Sequence, residues 1–208
     1  MKPEHKFWNR FAEKYASRPI ADRQVYDIKL EITREYLKPD MRVLEFGCGT
    51  GKTAISHEQY VSSIEGIDAA PNMIMVAKRN ADDQATRNVS FKVMDFEKVP
   101  TNAERYDAVL GLNVLHLLND RDAAIARVFK LLTPGGVFVS STPCLGDKLS
   151  YLKLLKPLGS LGLIPKLQVF TSAELDTSIV SAGFDIIHYW QPSPKKAVFI
   201  VAQKLAGS

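Results

Sequence analysis

A glycine-rich turn that follows a short apolar segment is the strongest chemical signal in the sequence. Val43–Phe46 has the composition of a buried strand and includes Glu45, and Gly47, Gly49 and Gly51 follow at alternate positions. Glycines here let the backbone turn sharply and let a ligand lie against the main chain, because no Cβ is in the way. Between a strand and a helix, such a turn predicts a nucleotide-like cofactor, at which the helix amides point.

Two further acidic positions follow predicted strands. Asp68 comes directly after residues 63–67, where its carboxylate could accept hydrogen bonds from both hydroxyls of a ribose. A cap for the next helix is an alternative role for this residue. Asp95 and Phe96 come just past residues 89–93, and an acid beside an aromatic ring suits a purine with an exocyclic amine. An ordinary loop acid would look the same, so the case depends on all three signals occurring together.

The surrounding elements predict a Rossmann-like three-layer α/β fold. Segments rich in β-branched residues alternate with segments of helical period, which indicates a parallel sheet with helices on both faces. Ligands bind at the carboxyl ends of such strands, so the three signals converge at one edge. A turn with Pro192 and Pro194, instead of a helix, joins the last two strands, so the final strand should be antiparallel. We predict seven strands, at 42–46, 63–67, 89–93, 106–111, 137–141, 184–190 and 197–203.

Two segments should form the acceptor side of a single domain over residues 1–208. Apolar residues recur at helical spacing through residues 1–38, with a break at 17–19 that separates two helices. Residues 144–169 are rich in glycine and proline and predict a lid or substrate-side insertion around one short helix. Its apolar residues either line a pocket or pack on the sheet; they are Leu149, Leu152, Leu155, Leu161, Leu163 and Ile164.

Composition narrows the class of protein. The 208 residues, 46% of them hydrophobic, suit one globular domain, and no apolar run approaches the roughly 20 residues that cross a bilayer. The charged N-terminus leads into no apolar signal core, and two cysteines are too few for a disulfide framework, so we expect a cytoplasmic protein. The net charge of +4 is scattered, and histidine and cysteine lack metal-ligand spacing. We therefore expect neither a nucleic-acid partner nor a metal.

Three motifs together resemble the small class I S-adenosylmethionine (SAM)-dependent methyltransferases, including those of ubiquinone and menaquinone biosynthesis. The motifs are residues 45–51, 66–73 and 132–136, and the resemblance spans roughly residues 40–142. Ala70 departs from the pattern, because many relatives carry serine there. The resemblance implies an enzyme with SAM as cofactor and S-adenosylhomocysteine as product. It says little about the acceptor, since the family methylates very diverse molecules.

The resemblance implies roles around the methionyl part of the cofactor. Glu45 would orient this part, and Gly47, Cys48 and Gly49 would line it through their backbone. Asn113, just after the fourth strand, would offer its backbone carbonyl to the methionyl ammonium.

It also implies roles around the nucleoside part. Asp68 would hold the ribose, while Ala69 and Met73 would pack at the adenine. Asp95 and Phe96 would bracket the adenine ring.

Acceptor chemistry is less evident than cofactor binding. His116 lies three residues past Asn113, where a neutral imidazole could accept a proton from an acceptor hydroxyl. Packing of this side chain against the following helix is the alternative. Cys144 follows the fifth strand, near the position where cytosine-5 RNA methyltransferases carry a nucleophilic cysteine. Those enzymes also carry a Pro-Cys pair after the fourth strand, and this chain has Leu112-Asn113-Val114 there instead.

The sequence thus predicts methyl transfer from SAM to a small, lipophilic acceptor. One alternative is a non-catalytic regulator that binds SAM or a nucleotide, which would carry the same cofactor motifs. A second is an NAD-dependent oxidoreductase, but its Gly-x-Gly-x-x-Gly fingerprint is not met, because Lys52 follows the turn and the next glycine is Gly66.

Overall fold

A seven-stranded sheet forms the centre of the chain in the computed structural model, which describes residues 3–102, 105–147, 167–194 and 196–205. The strand order is β3-β2-β1-β4-β5-β7-β6, and β7 alone runs antiparallel to its neighbours. The strands are β1 (Arg42–Phe46), β2 (Ser63–Asp68), β3 (Val89–Val93), β4 (Tyr106–Leu112), β5 (Leu132–Thr142), β6 (Phe184–Trp190) and β7 (Val198–Lys204). The predicted fold class is confirmed.

Helices cover both faces of this sheet, and two apolar clusters of buried residues lie between the layers. The break that separates the first two helices is where the sequence predicts it, because Pro19 follows the end of α1. In the described part of the chain the α-helices are α1 (Pro3–Ala16), α2 (Arg23–Glu35), α3 (Lys52–His57), α4 (Pro71–Asp83), α5 (Arg121–Leu131) and α6 (Ser172–Ser181).

The antiparallel strand β7 is an interior strand, although it comes last in the chain. Six of its seven residues are buried, whereas β6 alternates between covered and exposed positions as an edge strand does. A hairpin connection makes this order possible, because no helix has to cross the sheet between β6 and β7.

Residues 133–136 have the composition of a turn before the predicted fifth strand at 137–141, but in the structure they lie within β5. α5 ends at Leu131, and β5 starts at once, since Leu132 pairs with Tyr106. The next pair is Ala108 with Val137, so the Thr-Pro-Gly-Gly segment loops out of a continuing strand as a bulge. Gly135 takes a left-handed conformation with φ 80°, which lets the chain rejoin its neighbour.

The N-terminal helix is anchored on α4 by polar contacts. The side-chain oxygen of Asn9 accepts from the backbone N–H of Asn72 at 2.8 Å, and Arg79 donates two hydrogen bonds to Glu13. Behind them Ala12 packs into a small apolar cluster with α4. These contacts hold α1 above the carboxyl edge of the sheet, where the chemical signals converge.

Most of the predicted insertion 144–169, including all six of its named apolar residues, lies outside the described residues. The role of this segment on the acceptor side stays a prediction. Among the described helices, none is long and apolar enough to cross a membrane.

Close packing at Gly111 in β4 leads to a test of the fold. A Cβ added there would lie 2.5 Å from Cζ of Phe46 and 3.3 Å from Cε2 of Phe138. We expect Gly111→Ala to lower the free energy of unfolding by about 1–3 kcal/mol, as overpacking of cores does, in urea titrations. Combining it with Phe46→Leu should recover part of the loss, because the shorter side chain makes room. Strictly additive effects of the two substitutions would contradict the proposed collision.

Candidate functional site

A cleft of about 650 Å³ lies at the carboxyl edge of the sheet and beneath α1 and α2. Its size is typical of a pocket for a small molecule or cofactor. The structure brings together all ten predicted cofactor residues along this cleft, although their binding roles stay predictions. They are Glu45, Gly47, Cys48, Gly49, Asp68, Ala69, Met73, Asp95, Phe96 and Asn113.

The glycine turn has a backbone that few other residues could adopt. Gly47, Gly49 and Gly51 all have φ between 54° and 75°, in the left-handed region. A Cβ on Gly47 would lie 2.4 Å from Cγ2 of Val114, so this glycine is also required by close packing. A Cβ on Gly49 would meet no atom within 4 Å, so the main chain there borders open space. The turn therefore exposes its backbone to the cleft.

Asp68 closes this turn through its carboxylate. Oδ2 accepts a hydrogen bond from the backbone N–H of Gly49 at 3.0 Å, and Oδ1 accepts one from Ala70 at 2.8 Å. Burial raises the pKa of the Asp68 carboxyl, while the bonds from Ala70 and Gly49 and the charge of His5 lower it. Asp68 is not the cap of α4, because the N-cap is Ala70 and no side chain caps this helix. Its carboxylate supports the local backbone and also lines the cleft, and its contact with a ribose stays a prediction.

Glu45 is a buried carboxyl at the floor of the cleft. Only 3% of its surface is exposed, and its Oε2 atom has no hydrogen-bond partner. Burial raises the pKa of Glu45 to about 8, against the lowering effect of a backbone hydrogen bond from Ala54, and the nearby Asp68 raises it further. With this pKa the carboxyl is mostly protonated at neutral pH without a ligand. A positively charged ligand would favour its ionised form and would replace the hydration that burial removes.

The predicted adenine residues are partly core residues. The ring of Phe96 is 6% exposed and stacks on Phe46, with ring centroids 4.1 Å apart, and Met73 packs into the cluster beneath α1. Asp95 begins a short 3-10 helix, in which its side chain accepts from the backbone N–H of Glu97. Phe96 thus forms part of the cleft wall with a ring that is already packed against the core.

Asn113 has a left-handed backbone, with φ 56°, directly after β4. Its N–H donates to the carbonyl oxygen of Ser141 at 2.7 Å, which joins the ends of β4 and β5. Such a conformation is uncommon outside glycine, and asparagine tolerates it better than most residues. It redirects the chain along the cleft at the position where the methionyl part was expected.

His116 lies in a short 3-10 helix (Leu115–Leu117) and is not among the residues that line the cleft. Burial lowers its pKa to about 4, so the ring is neutral near pH 7, and its buried Nδ1 has no hydrogen-bond partner. The neighbouring Leu117 and Leu118 do line the cleft. A catalytic role for His116 stays a prediction.

Sequence reasoning missed the face that α2 turns toward the cleft. The apolar period of this helix includes Val25, Ile32 and Tyr36; of these only Val25 lines the cleft, while the other two pack against a core cluster. A second series at helical spacing, with a lysine in it, was the available signal. It consists of Asp22, Val25, Tyr26, Lys29, Leu30 and Thr33, all of which line the cleft.

The fold and the cleft define a Rossmann-like cofactor-binding protein, and comparisons with known proteins agree. The chain is 35% identical to aklanonic acid methyltransferase DauC of Streptomyces sp. over 58% of this chain and 54% of that protein. It is 28% identical to a ubiquinone biosynthesis O-methyltransferase of Azorhizobium caulinodans over 70% of this chain and 59% of that protein. A solved S-adenosylmethionine-dependent methyltransferase from Mesorhizobium loti superposes with a TM-score of 0.69 at 19% identity, covering 83% of this chain and 96% of the other.

The profile of the methyltransferase domain family matches residues 37–188, well over half of the chain. The protein therefore belongs to the methyltransferase domain family, and the resemblance found in the sequence is confirmed. SAM is confirmed as cofactor at the level of this family. The matched segments span only a little over half the length of the two relatives named above.

The residues of the cleft fit SAM. The unpartnered Oε2 of Glu45 can accept from an ammonium group, and the open backbone at Gly49 leaves room for a chain to lie against it. Asp68 supplies carboxylate oxygens beside the turn, and SAM carries positive charges that such a site favours.

The buried charge of Glu45 leads to a prediction on pH. The pKa of Glu45 is about 8 in the folded protein, well above the value of about 4.3 expected in the unfolded chain. The protonated carboxyl therefore makes its full contribution to stability below pH ~4, and this contribution is lost as the pH rises to about 8. Glu45→Gln should therefore match the wild type at low pH and exceed it above pH ~8 by a few kcal/mol. Chemical denaturation of the cofactor-free proteins across this range measures the difference.

The same substitution should weaken SAM binding about ten- to a hundredfold, since a charge-assisted hydrogen bond is lost. If the stability of the two proteins depends on pH in the same way, the raised pKa of Glu45 is wrong. Unchanged affinity would contradict a contact between Glu45 and SAM.

Asp68→Ala should lower both the melting temperature and the affinity for S-adenosylhomocysteine, since the carboxylate holds the turn and faces the cleft. We expect the dissociation constant to rise about thirtyfold to a thousandfold. To separate the two effects, the 2′-deoxyribose analogue is titrated as well. The wild type should prefer the ribose form, and the variant should lose this preference. If Asp68→Ala still prefers the ribose form, Asp68 does not contact the ribose.

Proposed function

We propose that the protein transfers a methyl group from SAM to a small, lipophilic acceptor. The observation that carries this proposal is the pairing of two surfaces in one cleft. The cleft is lined by the buried carboxyl of Glu45, whose Oε2 has no hydrogen-bond partner, and by the open glycine turn. It is also lined by apolar side chains from α2 and from the loop after β4. When bound, SAM supplies a methyl group that is already activated by a positively charged sulfur.

The apolar lining supports a lipophilic acceptor. Its members come from the α1–α2 connection, from α2 and from the 3-10 helix after β4. They are Ile20, Val25, Leu30, Leu117 and Leu118. An apolar wall favours an acceptor with a ring or hydrocarbon body, because burying that surface contributes about 25 cal/mol per Å².

The contribution of this chain is positional. The side chains of α1 and α2 cover the carboxyl edge of the sheet, which excludes water from the reacting groups. The glycine turn and Asp68 orient one reactant, and the apolar wall orients the other. Holding two reactants in line supplies much of the acceleration that such a reaction needs.

The names of two relatives are consistent with an acceptor of this kind. One is an aklanonic acid methyltransferase and the other is an O-methyltransferase of ubiquinone biosynthesis. Each name describes that relative, and its extension to this protein is part of the proposal.

We also propose that the protein works in the cytoplasm. Its two cysteines, Cys48 and Cys144, are buried and are too few for a disulfide framework, which suits a reducing compartment.

Ligand binding tests the proposal first. We expect SAM and S-adenosylhomocysteine to bind in calorimetric titrations and NAD not to bind, because the turn lacks the dinucleotide spacing and Glu45 favours a cationic ligand. Incubation with methyl-labelled SAM and a metabolite extract should then yield a labelled small molecule that mass spectrometry identifies. The folded Glu45→Gln protein is the matched control and should give less product. Binding of SAM with no transfer would favour a regulator, and tight NAD binding alone would favour an oxidoreductase.

A further inference from the structure

The cleft has an acidic end, and a lysine lies away from it. Carboxylates line the end formed by the first three strands; they are Glu45, Asp68, Asp95 and Glu97. Lys29 reaches the cleft from α2, on the side of the apolar wall. This arrangement separates a region that favours a cation from one that favours an anion.

Lys29 is held in place by a serine at the end of β5. Its Nζ atom donates a hydrogen bond to Oγ of Ser141 at 2.8 Å, and Ser141 is 1% exposed. The carbonyl oxygen of Ser141 accepts from the N–H of Asn113. The ammonium group of Lys29 is therefore fixed where β4 and β5 end, next to the residue expected at the methionyl part of SAM.

Lys29 has no carboxylate within ion-pair distance among the described residues. The nearby Asp22 is bound by Lys196, whose Nζ lies 2.7 Å from Asp22 Oδ2. Burial lowers the pKa of Lys29, against the attraction of Asp22, and the charge of Lys196 lowers it further. A half-buried ammonium with only a hydroxyl partner is costly, and an anionic ligand would compensate for that cost.

The other lysines of the cleft do not match this arrangement. Lys196 is neutralised by Asp22, and Nζ of Lys52 donates to the carbonyl oxygen of Ala16 beside the glycine turn. Lys29 thus combines partial burial, a fixed position and a place on the apolar side of the cleft.

We propose that Lys29 binds the methyl acceptor and that the acceptor presents an acidic oxygen, such as a carboxylate, phenolate or enolate, to the Lys29 ammonium. This inference rests on the proposed function and names its substrate class. The acceptor's proton is lost to solvent before binding. When the oxygen attacks, an oxygen–carbon bond forms and the carbon–sulfur bond breaks, with its electron pair staying on sulfur. The methylated product is neutral and no longer pairs with Lys29, which favours its release.

Matched pairs of acidic and neutral probes test this inference. The protein is first saturated with S-adenosylhomocysteine and then titrated calorimetrically at about pH 7. The pairs are 2-naphthoate with 2-naphthamide, and 2-hydroxy-1,4-naphthoquinone with its methyl ether. We expect the wild type to bind each acidic member at least about tenfold more tightly than its neutral partner. Lys29→Met should abolish this preference and leave S-adenosylhomocysteine binding unchanged.

Lys130→Met, on the exposed face of α5, is the matched control and should keep the preference. If Lys29→Met fails to fold, Lys29→Gln takes its place, since it keeps a donor for Ser141 without the charge. A preference that persists without the lysine, or a wild type that binds neither acidic probe more tightly, would overturn the inference. Failure of S-adenosylhomocysteine to bind the wild type would instead reject the proposed function.

Discussion

The hydrogen bonds that the carboxylate of Asp68 accepts are the contacts on which the rest of the site depends. Its two oxygens accept from Gly49 and from Ala70, so one side chain fixes both the glycine turn after β1 and the start of α4 after β2. The turn could not hold three left-handed glycines in register without such a constraint, because glycine has the most conformational freedom to lose. Parallel pairing of β1 with β2 brings the two segments together.

The acidic end of the cleft favours binding of a cation but lowers the stability of the fold. Glu45 is nearly inaccessible, has an unpartnered oxygen and lies near Asp68, so folding without a ligand leaves an unfavourable interaction in place. Sites of this kind are pre-organised, since the protein has already lost the hydration that a cation would otherwise have to displace. The stable sheet beneath, with buried strands such as β4 and β7, provides the compensating free energy.

The two ends of the cleft come from different parts of the chain. Carboxylates follow β1, β2 and β3, whose parallel arrangement places their ends side by side. The opposite wall comes from α2 and from the ends of β4 and β5. A cationic cofactor and an anionic acceptor would then be drawn to separate places in one cavity, which is the arrangement that a transfer between them requires.

The sequence by itself determined the elements and the cofactor signals. Alternating and helical periods located six of the seven strands within one residue, whereas β5 begins five residues earlier than predicted. The proline-containing turn before β7 predicted its antiparallel direction, because this is also a local property. The glycine turn was legible for the same reason. The interior position of β7, and the bulge at Gly135 that replaces a turn, depended on pairing with distant strands. The tertiary structure alone decided that Lys29 meets Ser141, which lies 112 residues further along the chain. Contacts between such distant residues leave no periodic pattern in the sequence, so only the folded chain defines the acceptor side.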